Sequence, residues 1–532
     1  MCLRFMLALV SWLCLASGLN MKVHSWLSIY VVIPCYLHLI STFHFLMAPF
    51  ADARLAPYLG CLRYHSTLSK AERFAIPVTH GTLPHGFLVS STYAGIKKAI
   101  SPSAGSKTLT APPKPDMSLI VSSTPAAVAG VFTTNRFQAA PVVHSKAALQ
   151  SAAPRTRAVL TNSGCANAVT GQGGLDDTNA LVSQVRSLLR SEHSAPSDAL
   201  MMSTGVIGVR LPLGPMQRAL SHLASSQVLQ SNPDAWMDVA RAFMTTDTFP
   251  KLRTRRFALG DRVCHMAAID KGAGMIHPRM ESPRTLHATL LGVFVTDAPI
   301  APDALQRSLD EAVKFSFNCV SVDGDMSTND TILALANGAA PTGAPGTPIA
   351  PGTEISEKTH PVEMAIFQTE LKELACEMAQ LIVRDGEGAE KFVEVRVRNA
   401  ATYDAAHAIA ASISTSALVK CAMHGADANW GRVLCAAGYA KLPPGWEIDP
   451  CKVNVTFTTP NARDLAPLRT LIDGVPQMVN EEHATRLLSH EDICIDVDLQ
   501  GGSNPSSARA EAVYWTCDFS KEYIAVSITN ES

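Results

Sequence analysis

Apolar residues recur at two different spacings beyond about residue 75, and these spacings predict both helices and strands. A spacing of three to four residues, which places side chains on one face of an α-helix, occurs in two stretches: Leu181, Val185, Leu188 and Leu189, and Phe367, Leu371, Leu374, Met378 and Leu381. Between residues 393 and 398 valines alternate with charged residues, which is typical of a half-exposed strand. A short apolar run at 158–160 precedes the turn-like residues 161–164 and predicts a strand that ends at Leu160. Together these patterns indicate a mixed α/β protein.

Residues 289–298 form an apolar run that predicts a buried strand with unusual surroundings. The run follows a segment at 271–280 that is punctuated by glycine and proline, and seven further residues at 281–287. Its first residue, Thr289, is in one interpretation an ordinary β-branched strand residue. In the other, a cut before Thr289 would free an α-amino group, with a pKa of about 7.7–8, beside the hydroxyl. One residue would then supply both the base and the nucleophile.

Three other segments carry candidate chemistry. In MSTGVIG, Thr204 and Gly205 have the hydroxyl and the exposed backbone amide that an oxyanion hole requires, although an ordinary loop before a helix near Pro215 has the same composition. The segments MTTDTFPK at 244–251 and RDGEGAEKF at 384–392 suit a small zwitterion, because hydroxyls and lysine bind a carboxylate and Glu387 binds an ammonium group. Both segments are also compatible with capped turns.

Two acidic segments resemble cation sites only superficially. DGDMSTND at 323–330 has its glycine in the second position rather than the sixth, which breaks the order of an EF-hand loop. His424, Asp427 and Asn429 are metal-ligand types, but clusters of this kind more often make hydrogen bonds at helix ends. We therefore expect no metal at either place.

Composition excludes several classes of protein. Of the 532 residues, 17% are charged, against roughly 25% in soluble domains, so much of the chain is expected to be interior. Lysine and arginine number 44 against 46 acidic residues, which leaves no global basic field for nucleic acid. The thirteen cysteines contain no CxxC pair, which favours a reducing compartment over a disulfide framework or a zinc site.

The amino-terminal 74 residues are expected to form a targeting segment. Two largely uncharged runs, 5–21 and 26–47, are together suited to membrane insertion, and the second is long enough to cross a bilayer. Met47, however, opens a segment with Arg54, Arg63, several hydroxyls and a single acid, which is typical of a mitochondrial presequence. We expect a start codon assigned too far upstream and a mitochondrial protein; the alternative is a genuine signal anchor.

Nine segments in consistent order over residues 75–526 resemble the ornithine acetyltransferase family, also called glutamate N-acetyltransferase, of fungal mitochondria. The segments are TNSGCANAVTG, MSTGVIG, MTTDTFPK, KGAGMIHPRM, ATLLGVFVTDA, SVDGDMSTNDT, IVRDGEGAEKF, HGADANWGRVLCAAGYA and CDFSKEYI. The resemblance implies a four-layer αββα sandwich of stacked sheets flanked by helices, self-cleaved between Ala288 and Thr289. It divides the chain into a targeting segment (1–74), an α chain (75–288) and a β chain (289–532).

The resemblance also implies a reaction. Thr289 would be the nucleophile, and Thr204 and Gly205 the oxyanion hole; acetyl would pass from N-acetylornithine to glutamate through an acetyl-Thr289 intermediate. Acetyl-CoA would be a second acetyl donor, so that the protein would be a bifunctional acyltransferase of arginine biosynthesis in the mitochondrial matrix. No metal or redox cofactor would be required, and the α and β chains would assemble as a heterodimer or higher (αβ)n oligomer.

Substrate contacts implied by the resemblance extend to several loops and to the C-terminus, and are expected at Thr245, the adjacent Thr246, Lys271, Thr289, Glu387, Ser527 and Ser532. This chain departs from the family in its tail, where Ser527 stands in place of an asparagine, and in the residues at 281–287 that lengthen the loop before the cut. Cys165 also stands where the family commonly has asparagine.

Two other functions remain open from the sequence. In a self-cleaving amidase or aminopeptidase of similar architecture, water would replace glutamate as the acyl acceptor. In a membrane-tethered binding protein without catalysis, the amino-terminal apolar runs would be the anchor and the chain would stay uncut. The ratio of acetyl transfer to hydrolysis separates the first alternative, and an uncleaved chain in the membrane fraction would indicate the second.

Overall fold

The structure is a computed structural model that describes residues 68–101, 113–150, 153–189, 198–280, 290–350, 352–501 and 510–529, without the side chains of 527–529. The predictions for residues 1–67, for the pair Ala288 and Thr289, for Ser532 and for the side chain of Ser527 lie outside the described residues.

Strands and helices are both abundant in these ranges. The described strands are β1 Phe87–Thr92, β2 Met117–Phe132, β3 Arg155–Cys165, β4 Ala199–Val206, β5 Lys251–Leu259, β6 Arg262–Lys271, β7 Leu291–Thr296, β8 Val320–Ser321, β9 Thr331–Ala336, β10 Phe392–Ala400, β11 Asn454–Thr458, β12 Leu468–Ile472, β13 Val475–Pro476, β14 Asp492–Asp498 and β15 Ala510–Cys517. The described helices are α1 Lys70–Phe74, α2 Ile96–Ile100, α3 Ala140–Ala148, α4 Gly171–Leu188, α5 Leu213–Leu223, α6 Pro233–Phe243, α7 Pro302–Lys314, α8 Pro361–Arg384, α9 Tyr403–Ser414, α10 Ala417–His424, α11 Trp430–Gly438, α12 Glu481–Leu488 and α13 Lys521–Thr529.

The strands form two sheets. The larger sheet has the order β4-β3-β2-β9-β7-β6-β5, and β1 pairs with β2. The smaller sheet has the order β13-β12-β11-β14-β10-β15-β8. In the larger sheet β7 is central, antiparallel to β6 and parallel to β9, so the strand predicted after Thr289 lies in the middle of the sheet.

Side chains of the central strands point alternately into two apolar clusters, as the two-residue period of a strand requires. On one face Leu291, Val293 and Val295 belong to a buried cluster with Trp236 and Phe243 of α6. This cluster fixes β7 against a helix on one side of the larger sheet.

The opposite face of the larger sheet belongs to a second cluster that reaches the smaller sheet. Phe294 and Ile332 are buried in the same cluster as Phe367 of α8 and as Val393 and Val395 of β10. Helix α9 packs against β10 and β15 of the smaller sheet. The prediction of a mixed α/β fold with stacked sheets and packed helices is therefore confirmed.

Most of the elements predicted from periodicity are present. The two apolar stripes lie on α4 and α8, and the alternating valines lie on β10. The strand predicted to end at Leu160 is longer, because residues 161–165 continue β3 in parallel register with residues 202–206 of β4; the prediction of a turn at 161–164 was wrong.

The helices of the described ranges also bear on membrane insertion. No single helix there combines the length and apolar character needed to cross a membrane, and only the pair Tyr403–Thr415 and Ala417–His424, bent by 60°, meets that standard when its two members are taken together.

Candidate active site

Three strand ends meet where the chain enters β7. Lys271, the last residue of β6, lies opposite Leu291, the first residue of β7. On the other side, the backbone N–H of Thr331 in β9 donates to the carbonyl oxygen of Leu290 at 2.6 Å. The Nζ atom of Lys271 lies 3.4 Å from Oγ1 of Thr204 near the end of β4. The structure thus brings two of the predicted site residues, Lys271 and Thr204, to the start of β7.

Thr289 precedes this meeting point in the sequence. Thr289 is two residues before Leu291 in the sequence and is outside the described residues. Lys271, which is only 8% exposed, and Thr204, which is half-buried, therefore flank the end of β7 to which Thr289 is connected.

Gly205 has a conformation that other residues rarely adopt. Its φ is +126°, and a Cβ atom at this position would lie 2.3 Å from the carbonyl carbon of Gly164 and 2.6 Å from the nitrogen of Cys165. Gly164 and Gly205 are register partners in β3 and β4, so the two strands approach closely at these glycines. The absence of side chains leaves Gly205 exposed beside the Thr204 hydroxyl.

A buried carboxylate connects the loop 244–250 to the end of β6. Asp247 accepts hydrogen bonds from the backbone N–H groups of Thr245 at 2.9 Å and of Gly272 at 2.8 Å. It also accepts from Nζ of Lys251 at 2.7 Å. The half-buried Thr245 and Thr246 are thereby held next to the segment that carries Lys271.

A second buried carboxylate connects the same loop to the segment that follows α8. Asp385 accepts from the backbone N–H of Thr248 at 3.0 Å and from Nζ of Lys251 at 2.6 Å. Lys251 has no exposed side-chain surface, so it binds these two acids rather than a ligand carboxylate. The capped-turn interpretation of this lysine is the one the geometry supports.

Charge neutralisation makes this burial tolerable. Burial opposes ionisation of Asp247, but the nearby charges of Lys251 and Lys271 hold the pKa of Asp247 well below its ordinary value. Burial likewise opposes protonation of Lys251, but Asp247 and Asp385 raise the pKa of Lys251 above its ordinary value. We infer that Lys251 and Asp247 are both ionised, as a hydrogen-bonded buried pair requires.

Glu387 lies against the same glycine-rich segment. Its backbone N–H donates to the carbonyl oxygen of Ala273 at 2.8 Å. A Cβ atom on Gly274 would lie 2.6 Å from the carboxyl carbon of Glu387, so the carboxyl group packs directly on that glycine. The segments carrying Thr204, Thr245, Lys271 and Glu387 therefore converge, although the sequence places them up to 183 positions apart.

Sequence reasoning missed a further buried acid at this place. Asp330, which directly precedes β9, is 3% exposed, and its Oδ2 atom has no hydrogen-bond partner. Burial raises the pKa of Asp330 well above its ordinary value, and the charge of Lys271 opposes that rise. The only sequence signal was its place at the end of DGDMSTND, directly before an apolar strand.

The remaining acidic segments are used within the protein. Asp323 accepts from the backbone N–H groups of Met275 at 2.6 Å and of Ile276 at 2.9 Å, and so holds the segment after Lys271. Asn429 caps α11 by accepting from the N–H of Arg432 at 3.3 Å, as expected for helix-end hydrogen bonding. His424 pairs with Asp518 at 2.8 Å.

Solved structures of related proteins cover part of the chain. The arginine biosynthesis bifunctional protein ArgJ of Bacillus halodurans is 31% identical, with a TM-score of 0.37, over 44% of this chain and 95% of that chain. The ornithine acetyltransferase of Mycobacterium tuberculosis, solved with ornithine, is 31% identical, with a TM-score of 0.30, over 37% of this chain and 94% of that chain.

Similarity to sequence relatives extends over most of the chain. The mitochondrial arginine biosynthesis bifunctional protein ArgJ of Malassezia globosa is 62% identical over 506 residues, which cover 89% of this chain and 98% of the relative. The protein of the same name from Postia placenta is 46% identical over 480 residues, which cover 87% of this chain and 97% of that relative. The sequence model of the ArgJ family matches residues 98–530. With a match of this extent, the chain belongs to the ArgJ family.

Proposed function

We propose that this protein is a mitochondrial bifunctional acetyltransferase of arginine biosynthesis. It transfers acetyl from N-acetylornithine to glutamate, and it also makes N-acetylglutamate from acetyl-CoA and glutamate. Membership of the ArgJ family supports this reaction. The observation that carries the assignment of residues is the 3.4 Å approach of Lys271 to Thr204 at the strand end that continues from Thr289.

Cleavage between Ala288 and Thr289 divides the precursor. Residues 1–74 direct the chain to the mitochondrial matrix, residues 75–288 form the α chain, and residues 289–532 form the β chain. The two chains remain together in an αβ heterodimer or a higher (αβ)n oligomer. The end of β6 and the start of β7 are register partners from opposite sides of the cut, which supports an association that persists after cleavage.

The chemical step uses the new amino-terminus as the base. The α-amino group of Thr289 takes the proton of its own hydroxyl, whose oxygen attacks the acetyl carbonyl carbon of N-acetylornithine. Thr204 and Gly205 donate to the negative oxygen of the tetrahedral intermediate. As ornithine leaves, its nitrogen takes the proton held by the α-amino group of Thr289. Glutamate binds as an ammonium and gives that amino group one proton; the resulting neutral amine attacks the acetyl-Thr289 ester and passes its second proton to the Thr289 oxygen, which regenerates the hydroxyl.

The amino-acid ends of donor and acceptor bind to the converging loops. Lys271 and the hydroxyls of Thr245 and Thr246 bind a carboxylate, and Glu387 binds an ammonium group. Ser527 and Ser532 provide a C-terminal contact in place of the family's asparagine-containing tail. Acetyl-CoA acts as a co-substrate, and no metal or redox cofactor takes part in transfer.

Intact mass and amino-terminal sequencing of the purified full chain test this proposal. For the parent protein, the expected result is a fragment that begins at Thr289. For Thr289→Ala, we expect neither this fragment nor acetyl transfer. Thr285→Ala is the matched control, because it removes another threonine hydroxyl from the same segment and leaves cleavage and transfer intact. Cleavage that persists in Thr289→Ala would refute the assigned nucleophile.

Acceptor specificity separates transfer from the amidase alternative. With N-acetylornithine as donor, N-acetylglutamate formation in the presence of glutamate is expected to exceed release of free acetate. Equal rates of acetate release with and without glutamate would favour the hydrolase.

A further inference from the structure

Two imidazole rings converge on one carboxylate oxygen at the end of the larger sheet opposite the candidate active site. Nδ1 of His85 lies 2.8 Å from Oδ2 of Asp297, and Nδ1 of His265 lies 3.2 Å from the same oxygen. The two ring centroids are 5.2 Å apart. One ligating atom from each of the three residues falls within 4.8 Å of the others.

The backbone fixes this carboxylate before any ligand binds. The N–H of His85 donates to Oδ2 of Asp297 at 2.9 Å, and the N–H of His265 donates to Oδ1 at 2.6 Å. The side chain of Asp297 has no exposed surface and that of His265 is 6% exposed, whereas that of His85 is 51% exposed. A rigid, buried carboxylate and imidazole are thus combined with one imidazole that leaves an opening to solvent.

We propose that His85, His265 and Asp297 bind one divalent cation of the zinc class, with water as the fourth ligand. Metal–ligand bonds of 2.0–2.1 Å at tetrahedral angles separate the ligating nitrogen and oxygen atoms by about 3.3 Å, and the observed separations of 2.8 and 3.2 Å need only small adjustments. Two imidazoles with one carboxylate favour Zn²⁺, Co²⁺ or Ni²⁺ over Mg²⁺ or Ca²⁺, which prefer oxygen ligands. When Nδ1 binds the cation, each neutral ring carries its proton on Nε2.

The position of the cluster points to a stabilising role rather than a part in acetyl transfer. Strand β7 runs from Leu291 at the candidate active site to Thr296, directly before Asp297, a span of roughly 20 Å at about 3.3 Å per residue. His85 precedes β1, whereas His265 lies in β6. A bound cation would therefore tie the segment before β1 to two strands of the larger sheet.

A second cluster of the described residues provides the comparison. Glu390, His424 and Asp518 also bring three ligating atoms within 4.8 Å, with Nδ1 of His424 2.8 Å from Asp518. This cluster has one imidazole and two carboxylates, a ligand set that the zinc class favours less. His424 is therefore the matched control, since it is also a histidine paired with a buried aspartate.

Metal titration of the full chain, freed of metal with a chelator, tests the proposal. We expect calorimetry to show that the parent chain binds Zn²⁺ at one site. Loss of an outer-sphere partner lowers metal affinity by roughly 10–100-fold, and we expect His85→Gln and His265→Gln each to lower the Zn²⁺ affinity by more than that. His424→Gln leaves the affinity unchanged, and Co²⁺ gives a spectrum without a thiolate charge-transfer band. Zn²⁺ also raises the Tm of the parent chain but not that of His85→Gln.

Folding of the variants is checked without metal. His85 is half-exposed, so His85→Gln is expected to keep the circular dichroism spectrum and the acetyl transfer rate of the metal-free parent. Equal Zn²⁺ affinity in the parent, His85→Gln and His265→Gln would overturn the proposal. Loss of the site in His424→Gln, or a thiolate band with Co²⁺, would assign the cation to other residues and would also overturn it.

Discussion

The Nζ atom of Lys251 lies 2.6 Å from Oδ2 of Asp385, and neither side chain has exposed surface. The two residues are 134 positions apart, and Asp247 completes the group at 2.7 Å from the same nitrogen. Because Asp247 also holds the backbone of Gly272 and Asp385 holds that of Thr248, one buried cation joins three segments of the candidate site.

Replacing this cation tests its structural role. Lys251→Met leaves two buried carboxylates without their partner, and loss of one member of a buried ion pair costs about 3–5 kcal/mol. We expect a decrease of that size in the free energy of unfolding, measured by denaturant titration. The matched control is Lys452→Met, whose partner Asp449 lies 2.9 Å away in a partly exposed pair; its effect on the free energy of unfolding is expected to be far smaller, because solvent screens an exposed ion pair.

A second variant shows whether the uncompensated charge is the cause. Adding Asp385→Asn to Lys251→Met removes one of the two stranded negative charges, so the double variant is expected to be more stable than Lys251→Met alone. A double variant that is no more stable would show that the lysine stabilises the site by packing rather than by charge.

Gly205 provides a prediction about the close approach of β3 and β4. Gly205→Ala places a Cβ atom 2.3 Å from backbone of Gly164 at a φ of +126°, so we expect misplacement of the Thr204–Gly205 amide and loss of acetyl transfer. Gly208→Ala is the control, because Gly208 also has a positive φ, +83°, but has open space around it. Its cost is limited to the roughly 1–2 kcal/mol of left-handed backbone. Equal rates of acetyl transfer in Gly205→Ala and Gly208→Ala would show that the close approach of β3 and β4 at Gly205 is not required for acetyl transfer.

Local patterns predicted the elements of this fold better than its long-range pairing. The helical stripe from Phe367 predicted a helix that is present as Pro361–Arg384, because its spacing is set within each turn. The same approach ended β3 at Leu160, although the strand continues to Cys165, because its continuation depends on pairing with β4. For the same reason the sequence left open whether Lys251 binds a ligand carboxylate or belongs to a capped turn, because no local signal revealed that its partner is Asp385.

Thr204 is expected to affect the turnover number more than substrate binding. Thr204→Val removes the hydroxyl but keeps the shape of a β-branched side chain, and loss of one oxyanion donor costs about 10²–10³ in kcat. Thr204→Ser keeps a hydroxyl and is expected to retain most of the activity. Steady-state kinetics of the cleaved protein give kcat and KM for each variant. A change in KM alone would place the hydroxyl in substrate binding instead.

Glu387 is expected to act on binding of both amino acids. Glu387→Gln removes a charge-assisted hydrogen bond to the ammonium group, which is worth about 1.5–3 kcal/mol, so KM for N-acetylornithine and glutamate should rise by about ten-fold or more. Gly274→Ala is expected to raise the same constants, because its Cβ atom would lie 2.6 Å from the Glu387 carboxyl carbon. Gly81→Ala, with no atom within 4 Å of its Cβ position, is the control that should change neither constant.

The buried imidazole of His277 is expected to make the free energy of unfolding decrease in mild acid. His277 is 9% exposed, and its Nδ1 atom lies 3.2 Å from the hydroxyl of Tyr514. Burial, together with the charges of Arg279 and His407, lowers the pKa of His277 to about 4. The unfolded chain binds this proton near pH 6.5, so stability that is fully present above pH 6.5 is lost as the pH falls towards 4.

The expected loss from this one group is about 2 kcal/mol between pH 7 and pH 5, from the difference between the two pKa values. His277→Gln cannot take up the proton, so its free energy of unfolding should fall less between these two pH values than that of the parent. His222→Gln, at an exposed position of α5, should keep the full pH dependence. Parallel curves for the parent and His277→Gln would show that this imidazole is not what makes the fold sensitive to acid.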